Sequence, residues 1–499
     1  MKKLIAILIL AGITLVLTGC GSSSGATPVG AGQGNFSNGS LNGQYTYQIA
    51  GYDLSSGAAY REAGYFVANG SGTLTSGSDD FEEPSTGGVQ TTATTGTYAI
   101  ANDGTGTLAL TLPTGTLNFS LTLVSSNEVL LNEADSGAIA AGHAALQTAS
   151  ALASVPSGTF AFRLHSCITC SGSDSAALVG GMTVASGVVS GQDDVLRSGI
   201  FDNNTGGALA ITGTLNPPST SGRGTGSITD ATGTVNFIYY IVNANDLRFL
   251  VSDSGVIGLG RAQTQSGPFS NSSLNGNYAF GSRADDATDG LNAQDSAGMF
   301  TAGGNGTISA GSLDSVQDGS SVAQGVGLTG SYAATSNGRA TVTITPTGLA
   351  AIQQVYWMVS PTSAYFLTNS SAKVEDGTAM QQQGSFSNGS LNAQYAFSMN
   401  GLEFTSSGTI ALTRVGWIIW NGSGALTWNE STNNSQSGFS QPGELSGSYS
   451  VAGSGRVAAT VNNLSINSND MVIYLVSANS GYMLQNDAGV EIVGPMAVQ

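Results

Sequence analysis

The chain is predicted to be all-β, a tandem array of four small antiparallel domains, each an eight-stranded up-and-down barrel. Three observations carry this. Gly, Ser, Thr and Asn dominate and charged residues are only 9% of the 499 positions, a composition poor in helix formers and rich in strand and turn residues. Apolar residues alternate in short runs, such as Leu117, Phe119, Leu121 and Leu123 in TLNFSLTLV. Three sequence markers recur with a period near 117 residues, far beyond the 20–50 residues of solenoid or propeller repeats.

The first marker is FSNGSLNGQY at 36–45, which returns as FSNSSLNGNY at 269–278 and FSNGSLNAQY at 386–395. Its aromatic ends, with Phe160 standing in the second copy, are Tyr45, Phe160, Tyr278 and Tyr395, spaced 115, 118 and 117 apart. The second is G-T/S-Y, at Tyr98, Leu215, Tyr332 and Tyr449, every step being 117. The third opens on Val124, Val242, Val359 and Val476. The units are 34–147, 155–265, 266–383 and 384–499. The second diverges, lacking the opening decapeptide. Each copy has the size of a self-sufficient domain, so the array should behave as beads.

About eight strand segments per unit are separated by turns such as Asn102-Asp103-Gly104, and no segment has a helical period of crossover length. Short turns favour a meandering barrel of calycin or streptavidin type over the alternative, an immunoglobulin-like sandwich. In the decapeptide, Phe36 and Leu41 are apolar pegs around polar turn residues. Such a segment should plug one end of a unit and fix its angle to the unit before.

MKKLIAILILAGITLVLTGC begins with two lysines and an apolar run, the pattern of a secretory signal. Its end, Leu17-Thr18-Gly19-Cys20, resembles the lipobox of bacterial lipoproteins. That resemblance implies cleavage after residue 19, acylation of Cys20 (palmitate among the acyl groups) and stable attachment to the cell envelope, at the outer membrane or cell surface. Residues 20–33 then form the lipidated cysteine and a flexible tether. The overall texture is similar to tandem-repeat lipoproteins of environmental bacteria, a group without an assigned activity. It brings no catalytic motif.

The formal charge is −18 against only 13 Lys plus Arg, which excludes nucleic acid as a partner. The two histidines, His143 and His165, fall in different units without equivalents, and His143 is expected as a partly exposed strand residue. Cys167 and Cys170 read as a disulfide stapling a tight turn in an exported protein. Zinc held by His165, Cys167 and Cys170 is the weaker alternative, and it lacks a fourth ligand. No cofactor is implied. Asp79-Asp80, Glu82-Glu83, Asp193-Asp194 and Asp285-Asp286 read as solvated acidic loops. In the fourth unit Trp417, Trp420 and Trp428 are candidates for ligand binding, with Trp420 at a hairpin rim where other units carry Ala68, Ala185 and Ala302. The expected function is a non-catalytic surface lipoprotein, not an enzyme, presenting repeated β domains for adhesion or interaction with a glycan or envelope protein. The alternative is a ligand-binding barrel holding a glycan or a small apolar molecule.

Overall fold

Alternating side chains become barrels once one face of every strand turns inward. In the computed structural model, which describes residues 35–170, 174–202, 207–286, 293–370, 373–406, 408–464 and 470–499, the first barrel has eight strands. They are β1 Asn42–Asp53, β2 Ala58–Asn69, β3 Thr73–Glu82, β4 Gln90–Ile100, β5 Thr105–Leu112, β6 Gly115–Ser125, β7 Glu128–Glu133 and β8 Ala138–Leu146. Each pairs antiparallel with its neighbours, and β1 closes onto β8. The third barrel repeats this order over Asn275–Gln381. The second and fourth barrels also close through eight strands, each with one short extra strand, Ile200–Phe201 and Gly438–Ser440, at the edge. Every connection is a meander, so the sandwich alternative does not apply.

The barrel interiors are filled. Tyr45, Tyr47, Ile49, Phe66, Leu121 and Leu131 pack the first, and Phe397, Trp420, Trp428, Met471 and Ile473 the fourth. The decapeptide supplies the lid. Asn38–Ser40 forms a 3-10 turn that drops Leu41 into the core, and Tyr98 Oη donates to the Leu41 carbonyl at 2.7 Å. Asn38 Oδ1 accepts the Ile100 amide at 2.8 Å, and Phe36 lies against Gly104, whose φ of 86° suits the turn it makes. The same bonds recur from Tyr332 to Leu274 and from Tyr449 to Leu391. The second barrel has neither the decapeptide nor the lid-bonding tyrosine, whose place Leu215 takes. Leu152, just after the turn Ala149–Ala151, fills its end instead and rests on Gly222. The lid belongs to its own barrel, as expected of a plug. Leu274→Ala should cost about 2–5 kcal/mol, read as a lower urea midpoint of the whole chain; a midpoint unchanged from wild type would show that the lid is decoration.

The units are not beads. Barrel one packs on two, two on three, three on four, and four returns to one, closing a ring. Ten buried apolar residues, Trp357 and Tyr365 among them, join barrels two and three, whereas only four, Val124, Leu130, Ala396 and Val415, join four and one. Beads require polar outer faces. Here outward-facing positions such as Ala161, Val179, Ala279 and Val472 are apolar and need a partner.

Candidate functional site

Two polar devices hold neighbouring barrels together, and both come from positions that repeat. The first is a clasp. Asp80 on β3 accepts Nε and Nη2 of Arg223 from the second barrel at 2.7 and 2.9 Å, together with the Tyr240 hydroxyl. Asp194 accepts Arg339 at 2.8 and 2.7 Å and the Trp357 indole at 2.8 Å. Asp314 accepts Arg456 at 2.7 Å twice and the Tyr474 hydroxyl at 2.5 Å. Fork-to-carboxylate pairing of this kind fixes orientation as well as energy. In the barrel-four-to-one interface the corresponding positions carry Ser431, Thr105 and Thr122, so no clasp forms there.

The second device is a glutamine that ends each barrel and donates to two carbonyls of the next. Gln147 reaches Ser221 and Ile241, Gln265 reaches Asn337 and Met358, and Gln382 reaches Ser454 and Leu475. Gln499 reaches Asp103 and Leu123 of barrel one, at 3.4 and 2.6 Å, so this latch is present at all four interfaces. The valines of the third marker sit beside it: the residue after each latch donates its amide to Val242, Val359 or Val476.

These contacts overturn the reading of the acidic pairs as solvated loops. Asp79, Asp80, Glu82, Glu83, Asp193 and Asp194 are all buried, three of them along β3 and Glu83 just after it. Asp79 accepts the Tyr47 hydroxyl inside the first barrel at 2.7 Å, and burial pushes its carboxyl up to about 7. The side chains of Asp285 and Asp286 lie outside the described residues.

The ring surrounds a central, half-open cavity of about 440 Å³ to which every barrel contributes its first and last strands. Ala50, His165, Arg283 and Asn400 are equivalent positions on the four first strands, and all line it. The two histidines from different units therefore meet one space. His165 Nδ1 lies 2.8 Å from Asp376 Oδ1 of barrel three, and Arg163 Nη1 lies 3.2 Å from Asp376 Oδ2. Arg163, Arg261 and Arg248 stand opposite one another on three adjacent strands of barrel two, an arrangement that like charges disfavour. Asp246 accepts both guanidinium nitrogens of Arg261 at 2.9 and 2.7 Å and a longer bond from Arg248 at 3.4 Å. Burial, then the arginines around it, hold the His143 imidazole well below its usual range. Burial, then Arg261, lowers Arg248 to about 10. Arg61 and Arg283 also line the cavity, the latter 3.2 Å from Asn400 Oδ1.

The remaining candidates fall elsewhere. Cys167 and Cys170 are bonded to each other and packed against Ala59 and Ile257 between barrels one and two. With both sulfurs so engaged and His165 on Asp376, the zinc alternative loses its ligands. Among the described residues no group of three His, Cys, Asp or Glu is placed to hold a metal ion. The three indoles are not at a rim. Trp420 and Trp428 are 1% exposed within the fourth core, because Ile418, Trp420, Leu426 and Trp428 all face inward. Trp417 points outward into the interface with barrel one, where its Nε1 meets Asp103 Oδ2 at 3.1 Å. Leu17–Cys20 lies outside the described residues.

The fold and site define an all-β protein of four closed barrels arranged around one cavity. No protein-family model matches the chain, and no curated protein matches it. Among solved structures it is similar to a mutant of transferrin-binding protein B from Haemophilus parasuis, at 9% identity and TM-score 0.18, covering 75% of this chain and 84% of that one. The isotype 1 transferrin-binding protein B of serogroup B Neisseria meningitidis aligns at 8% identity and TM-score 0.19, covering 74% and 83%. A putative AttH from Nitrosomonas europaea aligns at 9% and 0.15, covering 68% and 92%. Similarity at this level carries no functional weight.

Proposed function

We propose that the protein is an exported envelope lipoprotein, anchored through Cys20, whose ring of barrels serves as a rigid, non-catalytic interaction platform. The observation that favours this reading is the pairing of filled barrel cores with devices that lock each barrel to the next. A chain that holds small molecules inside its barrels needs open interiors, and aromatic and aliphatic side chains occupy these. What such a ring offers a partner is its outer surface and its hairpins, held in fixed relative positions. Fixed spacing raises avidity for a repetitive surface, as a glycan layer or an envelope protein array would provide. The excess of acidic residues keeps nucleic acid away.

The anchor is tested by growing cells with labelled palmitate. Wild type should carry label and remain with the membrane fraction, while Cys20→Ser should be unlabelled and released. Retention of unlabelled Cys20→Ser protein would sink the anchor. The platform is tested by binding of the purified chain to immobilised glycans and envelope fractions, with a hydrolase screen in parallel. Turnover abolished by one substitution would replace the platform with an enzyme.

A further inference from the structure

The central cavity collects charge that the rest of the chain avoids. Five of the 13 Lys and Arg residues, Arg61, Arg163, Arg248, Arg261 and Arg283, line it in a protein of net charge −18. Asp246 and Asp376 pair with Arg261, Arg248 and Arg163, Glu128 adds a more distant field, and Glu491 faces Arg283. Asp246 already gives both its oxygens to Arg261. Arg248 is 91% buried, since 9% of its surface is exposed, and its Nε has no hydrogen-bond partner among the described residues. A buried guanidinium with an orphan donor, in a row of three like charges, calls for an acceptor that the chain does not itself provide. The purely structural reading, an arginine row neutralised by its own acids, leaves the orphan Nε of Arg248 unexplained.

The opposite wall has different chemistry. Barrels two and four stand diagonally across the ring, and the fourth presents Leu402, Val493 and Pro495 to the cavity. Gly281 of the third barrel admits the Tyr482 ring beside them, since a Cβ there would come within 2.7 Å of it. A charged wall facing an apolar wall, across a volume ordinary for a small-molecule site, matches a ligand with one charged end and one greasy end.

We propose that this cavity binds a small amphiphilic anion, with a carboxylate or phosphate head on Arg163, Arg248 and Arg261 and a short apolar body against Leu402, Val493 and Pro495. The site is independent of the platform reading, because it faces inward and needs no outer partner. It also differs from a barrel-interior site, since no single barrel contains it.

The test uses isothermal titration calorimetry on the full chain carrying Cys20→Ser, so that no acyl group or detergent competes. Octanoate, octyl phosphate, inorganic phosphate and octanol are the probes. One octanoate or octyl phosphate should bind per chain, at least tenfold more tightly than phosphate or octanol, and the ratio of the first two identifies the head group. Arg163→Gln with Arg248→Gln should weaken the better anion at least tenfold and leave octanol unchanged, with cooperative melting retained. If the double variant does not melt cooperatively, Arg163→Gln alone carries the test, since its side chain is 39% exposed. Absence of saturable binding, octanol binding as tightly as octanoate, phosphate binding as tightly as either amphiphile, or affinity indifferent to the arginines would each overturn the proposal.

Discussion

Asp194→Ala should destabilise the chain by about 3–5 kcal/mol, the cost of stranding a charge whose buried partner is removed. The Arg339 side chain is only 13% exposed, and the Trp357 indole loses its acceptor in the same step. Ser431→Ala at the equivalent position of the fourth interface removes no charge. It gives up the contact from Asn132 Nδ2 at 3.2 Å, and should cost about 1 kcal/mol. The two variants compared by urea midpoint separate a clasp from ordinary interface packing. Asp194→Ala combined with Arg339→Met should recover much of the loss, because it takes away the unpaired guanidinium. If Asp194→Ala unfolds no earlier than Ser431→Ala, the clasps do not hold the ring.

The second large effect is a fall in stability as pH rises. Burial first, then neighbouring Asp135, pushes Glu133 up to about 9; burial and then Asp230 and Asp194 bring Asp193 up to about 8; burial and then Asp295 bring Glu491 up to about 9. Their unfolded values are the ordinary ones, near 4. The folded chain thus keeps protons at neutral pH that the unfolded chain releases, and the stability linked to them is full below about pH 4. It is lost progressively as pH climbs through the folded values, at about 1.4 kcal/mol per pH unit for each group involved. Urea midpoints should decline from pH 5 to pH 9. Asp193→Asn, which imitates the protonated side chain, should make that decline shallower and should exceed wild type in stability at pH 8. A midpoint flat over this range, or a slope untouched by Asp193→Asn, would contradict the burial of uncharged carboxyls.

Strand class, barrel closure and the fourfold period were legible in the sequence because each depends on patterns within one unit. Alternation identifies which residues of TLNFSLTLV face inward, and the markers date the repeat. Divergence of the second unit was visible too, but its logic was not. Losing the decapeptide and exchanging tyrosine for Leu215 are a single change, since the Tyr98, Tyr332 and Tyr449 hydroxyls exist to bond the lid. What stayed hidden lies between units. Asp80, Asp194 and Asp314 recur, as do Arg223, Arg339 and Arg456, but an acid and a base more than 140 residues apart show no link until the barrels are docked. Gln147, Gln265, Gln382 and Gln499 hold the period as firmly as the valines and could have been found by alignment. Trp420 misled because a hairpin-end position was equated with exposure, whereas strand parity turns it inward. The central cavity could not be foreseen, since its lining comes from twelve strands in four units.

The ring has one seam. Barrels four and one meet without the charged triad and over few buried apolar side chains, and uncharged hydrogen bonds take its place: Asn132 Nδ2 donates to Ser431, Thr413 Oγ1 to Asn132, and Asn433 Nδ2 to the Glu133 and Ala138 carbonyls. With no arginine there, the seam that joins the first and last barrels owes little to charge, so added salt should weaken the three clasped interfaces and leave this one as it was.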